Sequence, residues 1–295
     1  VVAGALVAGL FVARAASGVP AGWAYARGRA SEAALRFDEV GSLMDRAAVG
    51  GNLTRALWRS GRARMKSWHG LPARDRFGGI GDGLLRSTAV RFLNARAASP
   101  GSAWFTAALA EVYGLRARSA REHRVVDLEA LARGPWALVG DDGRIAIGLV
   151  RAAIDREPTN FEHRDQLVFL LEQNGLRGDA LRAMDESARV LPDFSAHPDF
   201  VFEEMPLELV ETFWRTSRAL APDDAPLVPR DRYLLSLGQL GRRLGHLVEA
   251  EQDLRAALNV PNTRGVHSEE AFHLGLVLVD LGRFDEAETL LALAV

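Results

Sequence analysis

Residues able to do chemistry are sparse and scattered in this sequence. Its seven histidines, His69, His123, His163, His197, His246, His267 and His273, include no H-E-x-x-H and no paired spacing of the kind that holds zinc. Cysteine is absent, which excludes disulfide scaffolds, thiolate metal sites, iron–sulfur ligation and a cysteine nucleophile. The carboxylate pairs Glu203-Glu204 and Asp223-Asp224 are adjacent. On a helix such neighbours point about 100° apart, so neither pair makes an acid/base couple by itself. GGIGDG at 78–83 has no preceding strand and no following Gly-Lys-Ser/Thr, and it reads as a flexible connection rather than a phosphate loop. No G-x-S-x-G occurs. The expectation is a chain that is not an enzyme and takes no cofactor and no metal; an enzyme with its site in 65–145 is the alternative.

One constellation does suggest contact chemistry. Arg55, Arg59, Arg62, Arg64 and Lys66 form a basic run with Trp58 and Trp68 interleaved, and Arg55, Arg59 and Arg62 share a helical face. An anionic surface fits such a face. Beside an apolar N-terminal segment, lipid headgroups are the nearer polyanion, so no nucleic acid is expected. An ordinary solvated helix face is the alternative.

That apolar segment is the first of the elements that must carry these residues. VVAGALVAGLFVA (1–13) has no charge, and after Arg14 the small apolar run continues to Ala26. Thirteen residues rise about 20 Å as a helix, short of the roughly 30 Å hydrocarbon core. The reading is a single-pass transmembrane anchor over 1–26 in the lipid bilayer, with upstream residues supplying the missing turns. Arg14 snorkels, Trp23 sits at the interface, and Arg27 and Arg29 flank the membrane surface. A signal peptide ending near Ala13-Arg14-Ala15, or a buried soluble helix, are the other readings.

Behind this front the 295 residues are of ordinary globular composition, 48% hydrophobic and 25% charged, which excludes wholesale disorder. Charge is uneven. Residues 1–100 hold 15 basic and 6 acidic side chains, and 101–295 hold 21 and 32, so a front of +9 meets a back of −11.

A repeat organises the remainder. GLRGDA (175–180), GHLVEA (245–250) and GRFDEA (282–287) each place Ala five residues after Gly, and RFDEVGSLMDRAA (36–48) matches RFDEAETLLALA (283–294). Repeats starting at Phe161, Asp231 and Ser268 place Leu167, Leu237-Gly238 and Leu274-Gly275 in phase, with Pro158 and Pro192 standing 34 residues apart. The glycine suits a positive-φ turn, the alanine a close helix approach, and the proline a fresh start. This pattern resembles the tetratricopeptide repeat, in which 34 residues form two antiparallel helices. Residues 21–50 fit a first repeat, and 52–64 with 83–98 a second pair split by a loop over 67–83. WALVGDDGRIAIG (136–148) is read as helix after its turn, with a β-hairpin as the alternative.

The resemblance implies an all-α solenoid of antiparallel helix pairs behind an N-terminal transmembrane helix. Its parts are an anchor (1–26), a divergent repeat-like region (27–157) and clear repeats (158–295). It also implies a protein-binding groove along the first helix of each pair. Carried over, the groove positions are Glu162, Asp165, Phe169, Glu172 and Gln173, then Arg232, Leu235, Gln239, Arg242 and Arg243. In the last repeat they are Glu269, Phe272, Leu276, Val279 and Asp280, a partly apolar set that also suits packing against a cap helix. The middle set is basic and fits acidic or C-terminal carboxylate groups of a peptide. The expected function is a scaffold or assembly subunit of a bacterial membrane complex with protein partners. The repeat module of an envelope-biogenesis machine, for polysaccharide export or cytochrome maturation, is the alternative. The flanking arginines put the solenoid on the cytoplasmic side and analogy with anchored repeat proteins on the periplasmic side, which leaves the side open.

Overall fold

The computed structural model describes residues 24–49, 53–121, 139–193, 205–220, 228–261 and 268–294. Regular structure among them is helix throughout, in fourteen segments with no strand. The chain divides into two compact units, Val1–Leu176 and Arg177–Val295.

The first unit holds α1 (24–33), α2 (Phe37–Val49), α3 (Leu53–Gly70), α4 (Ala73–Arg76), α5 (Gly79–Ala98), α6 (Ala103–Arg121), α7 (Asp141–Ile154) and α8 (Phe161–Gln173). α2 packs on α3, α3 on α5, α5 on α6, α6 on α7, and α7 on α8. One of its core clusters gathers Met65, Trp68, Leu85, Phe92, Leu109 and Val112 from α3, α5 and α6. The second unit holds α9 (Arg177–Val190), α10 (Leu207–Leu220), α11 (Arg230–Leu244), α12 (Leu247–Asn259), α13 (Ser268–Asp280) and α14 (Phe284–Leu293). There α11 packs on α12, α12 on α13, and α13 on α14. Leu235, Leu254, Leu274, Val277 and Leu278 close its core.

Four inter-helix turns share one geometry. Gly175, Gly245 and Gly282 take φ of 71°, 83° and 76°, and Leu35 takes 58° at the corresponding place. In each, the next amide reaches back to the preceding helix: Leu176 to the Leu171 carbonyl at 2.9 Å, His246 to Gly241 at 2.8 Å, Arg283 to Leu278 at 2.8 Å, and Arg36 to Ser31 at 2.9 Å. These bonds satisfy carbonyls that a helix end otherwise leaves open. Side chains on either side of the turn are also in phase. A Cβ at Gly28 would stand 2.7 Å from Met44 Cε, one at Gly238 2.4 Å from Leu254 Cγ, and one at Gly275 2.7 Å from Leu291 Cγ. Ala180, Ala250 and Ala287 are almost wholly buried.

The expected loop at 67–83 is largely helical, which corrects the second pair. α3 runs on to Gly70, α4 follows Pro72, and α5 opens at Gly79 inside the glycine-rich stretch. One of those glycines serves packing. A Cβ at Gly81 would stand 1.8 Å from the Arg76 carbonyl oxygen, which also accepts a 3.1 Å hydrogen bond from Trp68 Nε1. Asp141–Ile154 is helical, and so is the described part of 136–148 beyond Gly140.

Arg14 and Trp23, with most of the expected anchor, lie outside the described residues. Its last residues, 24–26, belong to α1, where Ala24 is buried against Ala47, Ala48, Ala56, Leu57 and Ala95. Arg27 and Arg29 are exposed on that helix. No helix among the described residues is long and apolar enough to cross a membrane.

Candidate protein-binding faces

The expected groove positions fall on two separate helix faces, one in each unit. On α8 the Asn160 side chain caps the helix by accepting the Glu162 amide at 3.1 Å. Glu162, Asp165, Phe169, Glu172 and Gln173 then follow along one side of the helix. Phe169, on that side, is 54% exposed. The other sides are occupied. Leu167, Val168 and Leu171 are buried, Gln166 donates a 3.0 Å hydrogen bond to the Ala107 carbonyl, and Leu170 fills the space beside Gly114 on α6.

Asp165 is the unusual member. It is half-buried, makes no hydrogen bond or ion pair among the described residues, and burial pushes its carboxyl up to about 6. A carboxylate in that state gains from any cationic group brought to it.

The face on α11 and α13 differs from expectation in two respects. Leu235 is 3% exposed and belongs to the core with Leu274 and Leu278, so it is no groove residue. A groove position five residues into the helix becomes core here because α13 packs directly against α11. Arg242 is held by Asp280 of α13, with Nε 2.6 Å from the carboxylate. The expected basic set is thereby reduced. Arg232 is exposed and without an ion pair among the described residues, Gln239 is half-buried, and Arg243 is exposed. Beside them α13 carries an apolar stripe of Phe272, Leu276 and Val279, with Phe272 44% and Val279 39% exposed. Glu269 lies exposed one turn before it.

The basic run on α3 is mostly consumed inside the fold. Arg59 pairs with Glu32 and donates to the Tyr25 hydroxyl at 3.2 Å. Arg62 faces Glu111 at 3.6 Å and lies over Trp58, and Lys66 lies 4.7 Å from the Phe37 ring. Arg64 joins a polar hub that sequence reasoning missed. Asp45 on α2 accepts from Arg64 at 2.7 Å, Ser60 at 2.6 Å and Arg91 at 2.8 and 2.9 Å. Burial alone would raise that carboxyl, but the bonds from Arg91 and Ser60 and the Arg64 charge outweigh it and hold it below its ordinary range. Of the run only Arg55 is exposed with no partner among the described residues.

A second missed cluster joins α10 to the α11–α12 turn. His246 stacks on Trp214 with centroids 4.5 Å apart, and its Nε2 meets the Glu211 carboxylate at 2.9 Å. Trp214 Nε1 in turn donates to the Leu237 carbonyl at 3.0 Å. Only a spacing of 35 residues between Glu211 and His246 hints at this contact, and such a spacing carries no motif. Among the described residues no group of three or more His, Asp and Glu is placed to hold a metal.

Comparison with known proteins adds no assignment. No family model matches the chain, and no curated protein matches it.

Proposed function

We propose that this chain is a non-enzymatic, tetratricopeptide-like scaffold or assembly subunit of a membrane complex, binding protein partners through the faces of α8 and of α11–α13. Helix pairs with repeated turns support the architecture. The observation that carries the reading is the state of these faces. Phe169 and Phe272 are exposed on regular helices, while Asp165 and Arg232 have no ion pair among the described residues. Exposed aromatics beside unpaired charges are what a peptide-binding face presents before its ligand arrives. The apolar sequence 1–23, read as an anchor that ends where α1 begins, supports placement at a bilayer.

A photo-reactive residue replacing Phe169 or Phe272 tests this in native membranes, with Val248 on α12 as the control position. The expected result is one defined partner crosslinked from both face positions and not from Val248, lost when Asp165→Arg or Arg232→Glu is added. Equal labelling from all three positions would overturn the reading. Recovery of the full chain as a partner-free monomer without detergent would also overturn it.

A further inference from the structure

Charge in the first unit is sorted by end as well as by amount. The buried cluster of Ala24, Ala47, Ala48, Ala56, Leu57 and Ala95 marks one end of the bundle. It is where α1 enters, α2 and α5 finish and α3 begins. Three arginines adjoin it in sequence: Arg46 precedes Ala47, Arg55 precedes Ala56 and Arg96 follows Ala95. Arg46 and Arg55 are exposed and Arg96 half-exposed, and none has an ion pair among the described residues. The nearest carboxylate in sequence, Asp45, is already taken up by Arg64 and Arg91. The sequence holds no Asp or Glu over 1–31, 46–74 or 83–110, and neither α3 nor α6 has one in its first turn. Glu39 in the first turn of α2, Asp75 in α4 and Asp82 in the first turn of α5 sit towards the other end.

We infer that this end of the bundle, presenting Arg46, Arg55 and Arg96, docks on the anionic headgroups of a lipid bilayer. Charge complementarity makes the match, and residue 24, where the apolar sequence 1–23 joins the described fold, lies at this same end. A protein face that must lie flat on phosphates keeps its cations unpaired and excludes carboxylates, which otherwise repel the surface. The longer basic run on α3 cannot do this work, because Arg59, Arg62 and Arg64 already face Glu32, Glu111 and Asp45. The inference rests on the anchor reading for its geometry, yet the two fail separately.

Flotation of the full chain with vesicles separates them. Neutral phosphatidylcholine vesicles at high salt report insertion by 1–23, whereas added phosphatidylserine at low salt reports the dock. The expected result is an anionic excess that high salt removes. It falls about fivefold for each arginine lost, the equivalent of ~1 kcal/mol per cation, in the triple variant Arg46→Glu, Arg55→Glu, Arg96→Glu. The corresponding triple lysine variant keeps it. Because the chain has no cysteine, single cysteines at Asn94, near this end, and at Arg74, near the other, can each carry a fluorophore. Stronger quenching at Asn94 than at Arg74 by spin-labelled headgroups is expected. Failure of the salt-resistant binding to neutral vesicles removes the anchor and leaves the dock standing. An unchanged anionic excess in the glutamate triple, equal or reversed quenching, or arginine-dependent binding to duplex DNA tighter than to anionic vesicles would overturn the dock.

Discussion

Two residues show how local chemistry departs from the pattern around them. Leu35 occupies the left-handed turn position that glycine fills at 175, 245 and 282, and it is 72% exposed, so no burial compensates for the strain. Leu35→Gly should therefore stabilise the chain by about 0.5–1 kcal/mol, the left-handed penalty less the entropy cost of glycine. Gly245→Ala should cost about 1 kcal/mol by the same reasoning. Denaturant midpoints check both, and a loss on Leu35→Gly would contradict the argument. Asp165 sets a second expectation. Its folded carboxyl holds a proton up to about pH 6, against an ordinary value of 3.8, because burial disfavours the charge. The native state thus binds the extra proton between those values, and stability falls as pH rises through that window and levels off above it. Asp165→Asn should remove that slope and raise stability at neutral pH by about 1 kcal/mol, after allowing for partial solvent screening. Thermal melts from pH 4 to pH 7 (roughly the span of the titration) decide this. An unchanged slope in the asparagine variant would contradict it.

At the scale of elements, close approach between helices explains which glycines matter. A Cβ at Gly61 on α3 would lie 2.3 Å from the Phe92 ring of α5, whereas one at Gly148 on α7 would meet nothing within 4 Å. Gly61→Ala should cost about 1–3 kcal/mol by overpacking. Gly148→Ala should instead stabilise by about 0.5–1 kcal/mol through helix propensity alone. Opposite signs for one chemical change, read from urea unfolding, are the signature; equal signs would show that helix propensity and not packing sets both. This contrast also marks what the sequence could disclose. Gly-to-Ala spacing and phased Leu-Gly pairs disclose α11 to α14 and their turns, and the match of 36–48 to 283–294 places the α1–α2 turn despite its leucine. GGIGDG misleads because a glycine that admits the Arg76 carbonyl, as Gly81 does, looks the same as a glycine that keeps a loop free. Asp45 with Arg91, and Glu211 with His246, stay hidden because contacts between different helix pairs leave no local spacing. Leu235 is misplaced for a related reason: the packing of α13 on α11 that buries it is a contact between two repeats, which a position carried over by resemblance does not measure.

For the whole molecule, the two compact units and the chain of neighbour-to-neighbour helix contacts bear on how stability is distributed. Within 177–295 the helices from α9 to α14 pack mainly on their sequence neighbours in that unit, so stability there is close to a sum of local and nearest-neighbour contributions. Such arrays lose strict two-state behaviour, and damage at one end need not travel to the other. Gly275→Val places that test at the far end, since even a Cβ there would lie 2.7 Å from Leu291 Cγ and 3.5 Å from the Ala287 carbonyl oxygen. Amide exchange followed by mass spectrometry should show protection falling across α13 and α14, and less across α12. It should stay unchanged in the core of α3, α5 and α6, where Phe92 and Leu109 are sealed from solvent. Because overpacking of this kind costs about 1–3 kcal/mol, the loss at α13–α14 should appear as exchange roughly 5- to 150-fold faster. Uniform loss of protection over both units would mean that the chain unfolds as one cooperative body, and the additive view of its stability would have to be given up.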